Sequence, residues 1–151
     1  MKIDLVKSKK NELKEISKIY MEAFSKPPYE EIWTLKKASN KIKFFYEFYD
    51  LYSIKADKKL VGFAVINPNF MCPGEVAFGE EIAIKENFQG KGIGTIVNKK
   101  LFEIYKKKGY GSFMIIAHKK SKAVKLYKRL GINISKEGIL MEKELKWILI
   151  Q

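Results

Sequence analysis

Three glycines fall within five positions in Phe88-Gln89-Gly90-Lys91-Gly92-Ile93-Gly94-Thr95, and this stretch restricts the fold more than any other part of the chain. Before it, residues 77–84 are apolar enough for a strand. After it, residues 93–108 repeat apolar side chains at helical spacing and stop at Gly109. Residues 112–117 then read as a second strand. A strand, a helix and a strand in that order imply a parallel crossover, because adjacent parallel strands cannot be joined by a tight turn. The glycines let the chain bend sharply and bring bare backbone N–H groups to one point, where the N-terminal end of the following helix adds positive potential. The segment is therefore read as a cradle for an anion. It is not a Walker loop, which needs Gly-Lys-Ser/Thr after four intervening residues, nor a dinucleotide fingerprint, whose third glycine would stand at Thr95.

The remaining elements are assigned around this unit. Residues 3–6 form a short strand, and Leu13, Ile16, Tyr20, Ala23 and Phe24 recur at helical spacing behind Asn11, a candidate N-cap. Lys26-Pro27-Pro28 ends that helix. Leu35, Ala38, Ile42, Phe45 and Tyr49 mark a second helix with Thr34 as its cap. Strands at 52–56 and 60–66 make an antiparallel hairpin about Asp57-Lys58-Lys59, followed by a loop at 67–74. Ser121 caps a short helix carrying Val124, Tyr127 and Leu130, which Gly131 ends. Two last strands, 132–134 and 139–145, flank a turn at 135–138. The expected fold is one α/β (α+β) domain over residues 1–151. Its mixed, mostly antiparallel sheet has about seven strands with a parallel central pair, and four helices flank it.

Composition bounds the function. A chain of 151 residues with 46% hydrophobic content suits one globular core. Cys72 has no cysteine to pair with, and the start MKIDLVKSKK lacks a signal-peptide core, so a cytoplasmic protein is expected. No apolar run approaches the roughly 20 residues of a membrane-spanning helix. With His118 and Cys72 the single members of their kinds, a zinc site is not expected. The net charge of +13 draws anionic partners, coenzyme A and nucleic acid among them. The lysines are spread from Lys2 to Lys146, however, which fits a solvated surface better than a nucleic-acid face.

Gln89-x-x-Gly92-x-Gly94 resembles the Gln/Arg-x-x-Gly-x-Gly/Ala signature of the GCN5-related N-acetyltransferases, and the order of elements resembles theirs over nearly the whole chain. A second segment, Ala123-Val124-Lys125-Leu126-Tyr127-Lys128-Arg129-Leu130-Gly131-Ile132, is similar to that family's Ala-x-x-x-Tyr-x-x-x-Gly-Phe. The resemblance implies an enzyme that moves an acetyl group from acetyl-CoA to a primary amine by direct attack in a ternary complex. It also implies that the segment of Gln89, Gly90, Lys91, Gly92, Ile93, Gly94 and Thr95 holds the pyrophosphate, and that the backbone of Ile82 and Ile84 pairs with the pantetheine arm like an added strand. Lys120 stands where the family carries Asn, and there it offers a charge to a phosphate.

An amine attacks a thioester as the free base, so the site needs a proton acceptor for the ammonium and a donor for the departing thiolate. Tyr127 is the candidate acid, since a phenol with a pKa of about 10 stays protonated at neutral pH. Glu80 is favoured as the base because it shares strand parity with Ile82 and Ile84; Glu81 and a water relay are the alternatives. The resemblance places the acceptor near Tyr29, Glu30, Glu31 and Trp33. An acyl-CoA sensor without catalysis and a basic module binding nucleic acid or acidic protein are the competing readings. The acceptor's identity, the acyl length and a homodimer all stay open.

Overall fold

The computed structural model describes residues 1–146. Five strands form one sheet in chain order: β1 (Ile3–Lys7), β2 (Asp50–Ala56), β3 (Lys59–Asn67), β4 (Val76–Ile84) and β5 (Ser112–Ile115). Neighbours are antiparallel except β4 and β5, which run parallel. The helices are α1 (Leu13–Ser25), α2 (Leu35–Phe48), α3 (Ile93–Lys107) and α4 (Ala123–Arg129). The crossover from β4 through α3 to β5 is thus present as the sequence implies.

The sheet separates two apolar clusters. Ile93, Val97, Leu101 and Tyr105, each four residues after the last, form the inner stripe of α3 and pack on Ile54, Val61, Ala64 and Ile66. On the opposite face Ile16, Tyr20, Ala38, Ile42 and Phe45 of α1 and α2 pack on Phe63 and Val65. From Phe63 to Ile66 alternate residues of β3 serve opposite clusters, and Val61, beyond a register shift against β2, joins the α3 side, so nearly the whole strand is buried; such a strand reads as a continuous apolar run, as LVGFAVI does here.

Local chemistry explains most boundaries. Thr34 Oγ1 accepts from Lys37 N–H at 3.2 Å, the expected cap of α2. The β2–β3 hairpin turns on Asp57 and Lys58, both at positive φ, the primed turn that matches strand twist. Asn11 is not a cap: it lies in a 3-10 turn, Lys10–Glu12, and Glu12 Oε1 accepts from Lys9 N–H at 2.9 Å instead.

The expected strand count is corrected. Among the described residues the sheet has five strands, and neither 132–134 nor 139–145 is a strand. The turn between them does form, with the N–H groups of Glu137 and Gly138 donating to Ser135 Oγ. Alternating polarity sets up a strand only where an edge and an apolar face are there to receive it. Here Ile134, Ile139, Leu140, Met141 and Leu145 are 74–84% exposed.

Phe63 is fully buried, with its ring stacked on Tyr20 at 5.8 Å. Phe63→Ala is expected to cost about 3–5 kcal/mol. Urea unfolding should show this as a lower midpoint at unchanged slope.

Candidate active site

β4 begins beside β5 and ends without it. Val76 to Gly79 pair with Ser112 to Ile115, and the pairing stops there, while β4 continues against β3 as far as Ile84 opposite Gly62. From Glu80 onward the β5-facing edge of β4 has no strand partner among the described residues. A Cβ on Gly62 would lie 2.3 Å from Ala83 O, so that carbonyl faces β3. By alternation, the carbonyls of Ile82 and Ile84 face the open side.

The cradle follows. A 3-10 turn, Glu86–Phe88, leads into Gln89, whose Nε2 donates to Ile84 O at 2.9 Å and ties the loop back to the strand end. Gly90 and Gly92 sit at φ +72° and +78°, and a Cβ on either would meet nothing within 4 Å. Their requirement for glycine is therefore conformational, and the space above them is open. Gly94 differs: a Cβ there would come within 3.0 Å of Leu126 Cδ2, so it lets α4 approach α3. No side chain caps α3, and its first backbone bond runs from Ile96 N–H to Gly92 O at 3.2 Å. The amides of Ile93, Gly94 and Thr95 have no acceptor among the described residues, an arrangement suited to a phosphate oxygen. Lys91, over the Phe88 ring at 5.6 Å, adds charge at the rim.

Where β4 and β5 part, a cavity opens that is lined by Phe24, Tyr29, Ile66, Gly79, Glu80, Glu81, Ile82, Asn98, Leu101, Phe113, Ile115, Ile116, Ala117, His118, Ser121, Ala123 and Tyr127. It brings both candidate carboxylates and Tyr127 together. Burial holds the Tyr127 phenol up at about 12, with Tyr29 and Glu81 adding to the effect, so it remains a proton carrier at neutral pH. Burial also pushes the Glu81 carboxyl up to about 7, reinforced by Glu31 and opposed by Lys41 and the Tyr20 hydroxyl, which donates to Oε1 at 3.4 Å.

The parity used to favour Glu80 does not hold in the structure. Val65 faces Glu81 and Ile66 faces Gly79, which leaves Glu80 as the extra residue of a β-bulge. Glu80 accepts from Asn67 Nδ2 at 3.4 Å and raises the Tyr49 phenol after burial's larger contribution, while Glu81 meets Tyr20 of α1. Tyr29 lines the cavity and its hydroxyl reaches Ser121 Oγ at 3.4 Å. Glu31 acts on Glu81 through its charge. Trp33 lies edge-on to Tyr20 at 4.7 Å and Glu30 is exposed; neither lines the cavity. Lys120 is also exposed and away from the cavity wall, and its backbone N–H donates to His118 Nδ1.

Of the cavity residues, Phe24 carries no sequence signal for a site and Asn98 carries one that the sequence reading passed over. Phe24 and Asn98 lie on core-facing helical positions, both buried, and line the cavity where the strands part. Asn98 is buried, with Nδ2 donating to Gly94 O at 2.8 Å across the first turns of α3. An interior helical asparagine is costly enough by propensity to have flagged it.

The fold and the cradle together define a class of protein. Residues 13–132 match the model of the acetyltransferase (GNAT) family, and the chain belongs to that family. Among solved structures it is similar to a possible acetyltransferase from Clostridium difficile 630, at TM-score 0.79 and 11% identity over 95% of this chain and 99% of that one. It is also similar to aminoglycoside N-acetyltransferase AAC(6')-Iy in complex with CoA, at TM-score 0.72 and 15% identity over 94% and 95% of the two chains. A third similar structure is ribosomal-protein-alanine N-acetyltransferase from Brucella melitensis biovar Abortus 2308, at TM-score 0.72 and 13% identity over 95% and 100%. At such identities these likenesses establish the shared fold. No curated protein matches the sequence significantly.

Glu81 also links the site to stability. Its carboxyl rises from 4.5 to about 7 on folding. Between those values the folded state keeps a proton that the unfolded chain has released, so stability falls as pH rises through this window. Glu81→Gln, neutral throughout, should melt higher than wild type at pH 8, with the two melting temperatures converging near pH 4.

Proposed function

We propose that the protein transfers an acetyl group from acetyl-CoA to a primary amine by direct attack, without an acyl-enzyme. The observation that carries this reading is one cavity holding Glu81 and Tyr127 beside the open edge of β4 and the uncapped start of α3. The amides of Gly90 to Thr95 and the charge of Lys91 suit the cofactor's pyrophosphate, and the outward carbonyls of Ile82 and Ile84 suit its amide-bearing arm. Bound acetyl-CoA supplies the activated thioester.

The rest of the chemistry falls to the chain. Glu81, ionised as pH rises past about 7, takes a proton from the incoming ammonium and frees the lone pair that attacks the carbonyl carbon. Tyr127 gives its phenolic proton to the sulfur as the C–S bond breaks. The attacking nitrogen, cationic once its bond to the carbonyl carbon has formed, loses a second proton, which restores the Tyr127 phenol; the proton held by Glu81 returns to solvent, so one ammonium and one thioester give one amide, one thiol and one released proton. Glu81 is preferred to Glu80 because it is the carboxyl whose burial brings its pKa near working pH; Glu80 is engaged by Asn67 and shapes the acceptor side. Tyr29 and Glu31 are the acceptor contacts best supported by position, and Lys120 is left as a peripheral charge for a phosphate.

Two measurements test the reading. Tyr127→Phe should lower kcat by on the order of 10²-fold with acetyl-CoA affinity by calorimetry unchanged, and equal turnover would remove the acid role. In wild type, kcat/KM should rise with pH through about 7. Glu81→Gln should abolish that limb and Glu80→Gln should keep it; the reverse pattern would reassign the base. Tight acetyl-CoA binding with no thiol release across a panel of amines would favour a sensor.

A further inference from the structure

One face of α2 carries charge and aromatic surface that the packing of the fold does not use, and it begins beside the cavity. Lys37, Asn40, Lys41 and Phe44 recur at helical spacing, and with Trp33 they line an open groove. Phe48 extends the stripe, its ring 5.2 Å from that of Phe44; the two side chains are 62% and 43% exposed. Neither Lys37 nor Lys41 forms an ion pair among the described residues. The indole Nε1 of Trp33 is buried and finds no acceptor among them. The groove thus joins two unpaired cations to an unused N–H donor and ends in exposed aromatic surface. It is also continuous with the site, because the Trp33 ring lies 4.7 Å from that of Tyr20, whose hydroxyl donates to Glu81.

We propose that the acceptor amine belongs to an acidic polypeptide, which leaves the cavity past Trp33 and runs along this face of α2. The inference rests on acetyl transfer at the cavity and adds what carries the amine. Charge sets the polarity of such an acceptor. Glu31 and Glu81 at the cavity end suit an ammonium, while Lys37 and Lys41 further along suit carboxylates. From Lys37 to Phe48 the helix rises about 16 Å, the span of about five residues of extended chain, so a small amine would leave most of the groove unfilled. A carbonyl or carboxylate oxygen would take the Trp33 N–H, and an apolar side chain would cover Phe44 and Phe48. The chain's own exposed Glu137, Glu142 and Glu144 pair with neither lysine, and residues 147–151 carry no acidic side chain, so the carboxylates are a partner's.

Calorimetry on the full chain with coenzyme A bound tests this without turnover. The probes are a short peptide that starts with lysine at a free N-terminus and continues through glutamates to phenylalanine, and a twin with glutamine for each glutamate. The acidic peptide is expected to bind about five- to tenfold tighter, by a margin that shrinks as salt rises. Lys37→Glu/Lys41→Glu alters exposed residues, so its far-UV circular dichroism should match wild type. Its preference should invert, which lost packing alone would not bring about. With acetyl-CoA, wild type should show the same preference as a lower KM for the acidic peptide. Equal binding of the two peptides, or a preference that survives the charge reversal, would overturn the proposal, and thiol release with any amine would leave acetyl transfer standing. Tighter binding of an oligothymidylate at the same salt would overturn it in favour of nucleic acid. Acidic peptide bound without thiol release would remove the transfer reading instead, and the acceptor with it.

Discussion

The parting of β4 from β5 after Gly79 is the constraint on which the site depends. Up to that point the strands lie close enough that a Cβ on Gly79 would sit 2.8 Å from Ile115 Cγ2, so the glycine is what allows the approach. The bulge at Glu80 then turns β4 away, and the loss of parallel pairing beyond Gly79 leaves backbone groups facing an opening. An extended amide-bearing ligand can take those bonds, and the same opening leads to the cavity between the helical layers.

The rest of the molecule holds that opening in place. β3 is buried on both faces and anchors β4 from behind, so β4 can lose its neighbour on one side without losing its position. The α3 stripe fixes the helix beneath the sheet, which sets its N-terminal amides at the mouth of the cleft. Gln89 joins the loop to Ile84, and the pair Lys85–Glu15 at 2.9 Å bridges the end of β4 to α1. An exposed pair of this type adds little stability, so the apolar clusters carry the burden.

Burial sets the protonation of two ionisable groups in the cavity, Glu81 and Tyr127. The chain is strongly basic overall, yet the charges of Glu31 and Glu80 both add to the upward push that burial exerts on Glu81. Desolvation then acts on Glu81 and Tyr127 in the same direction, disfavouring the charged form of each. In the proposed mechanism, a carboxyl near neutrality and a phenol well above it serve as an acceptor and a donor that do not compete at working pH.

Local features were legible in the sequence because short-range forces decide them. Helical spacing, the Thr34 cap, the positive-φ glycines at 90 and 92, the crossover and the position of Tyr127 all follow from residues a few places apart. The choice between Glu80 and Glu81 was not legible, since strand parity assumes a regular ladder and the bulge exists only in register with β3. Nor could alternation in 132–146 say whether an edge would receive those residues; the structure leaves them in solvent. What the sequence determined by itself was the order of elements as far as α4 and the glycine turn between β4 and α3, which depend on backbone freedom and periodicity. Which carboxyl is desolvated, which strand edge stays open and which core positions face the cavity were decided by tertiary structure, because burial and pairing are set by residues far apart in the chain.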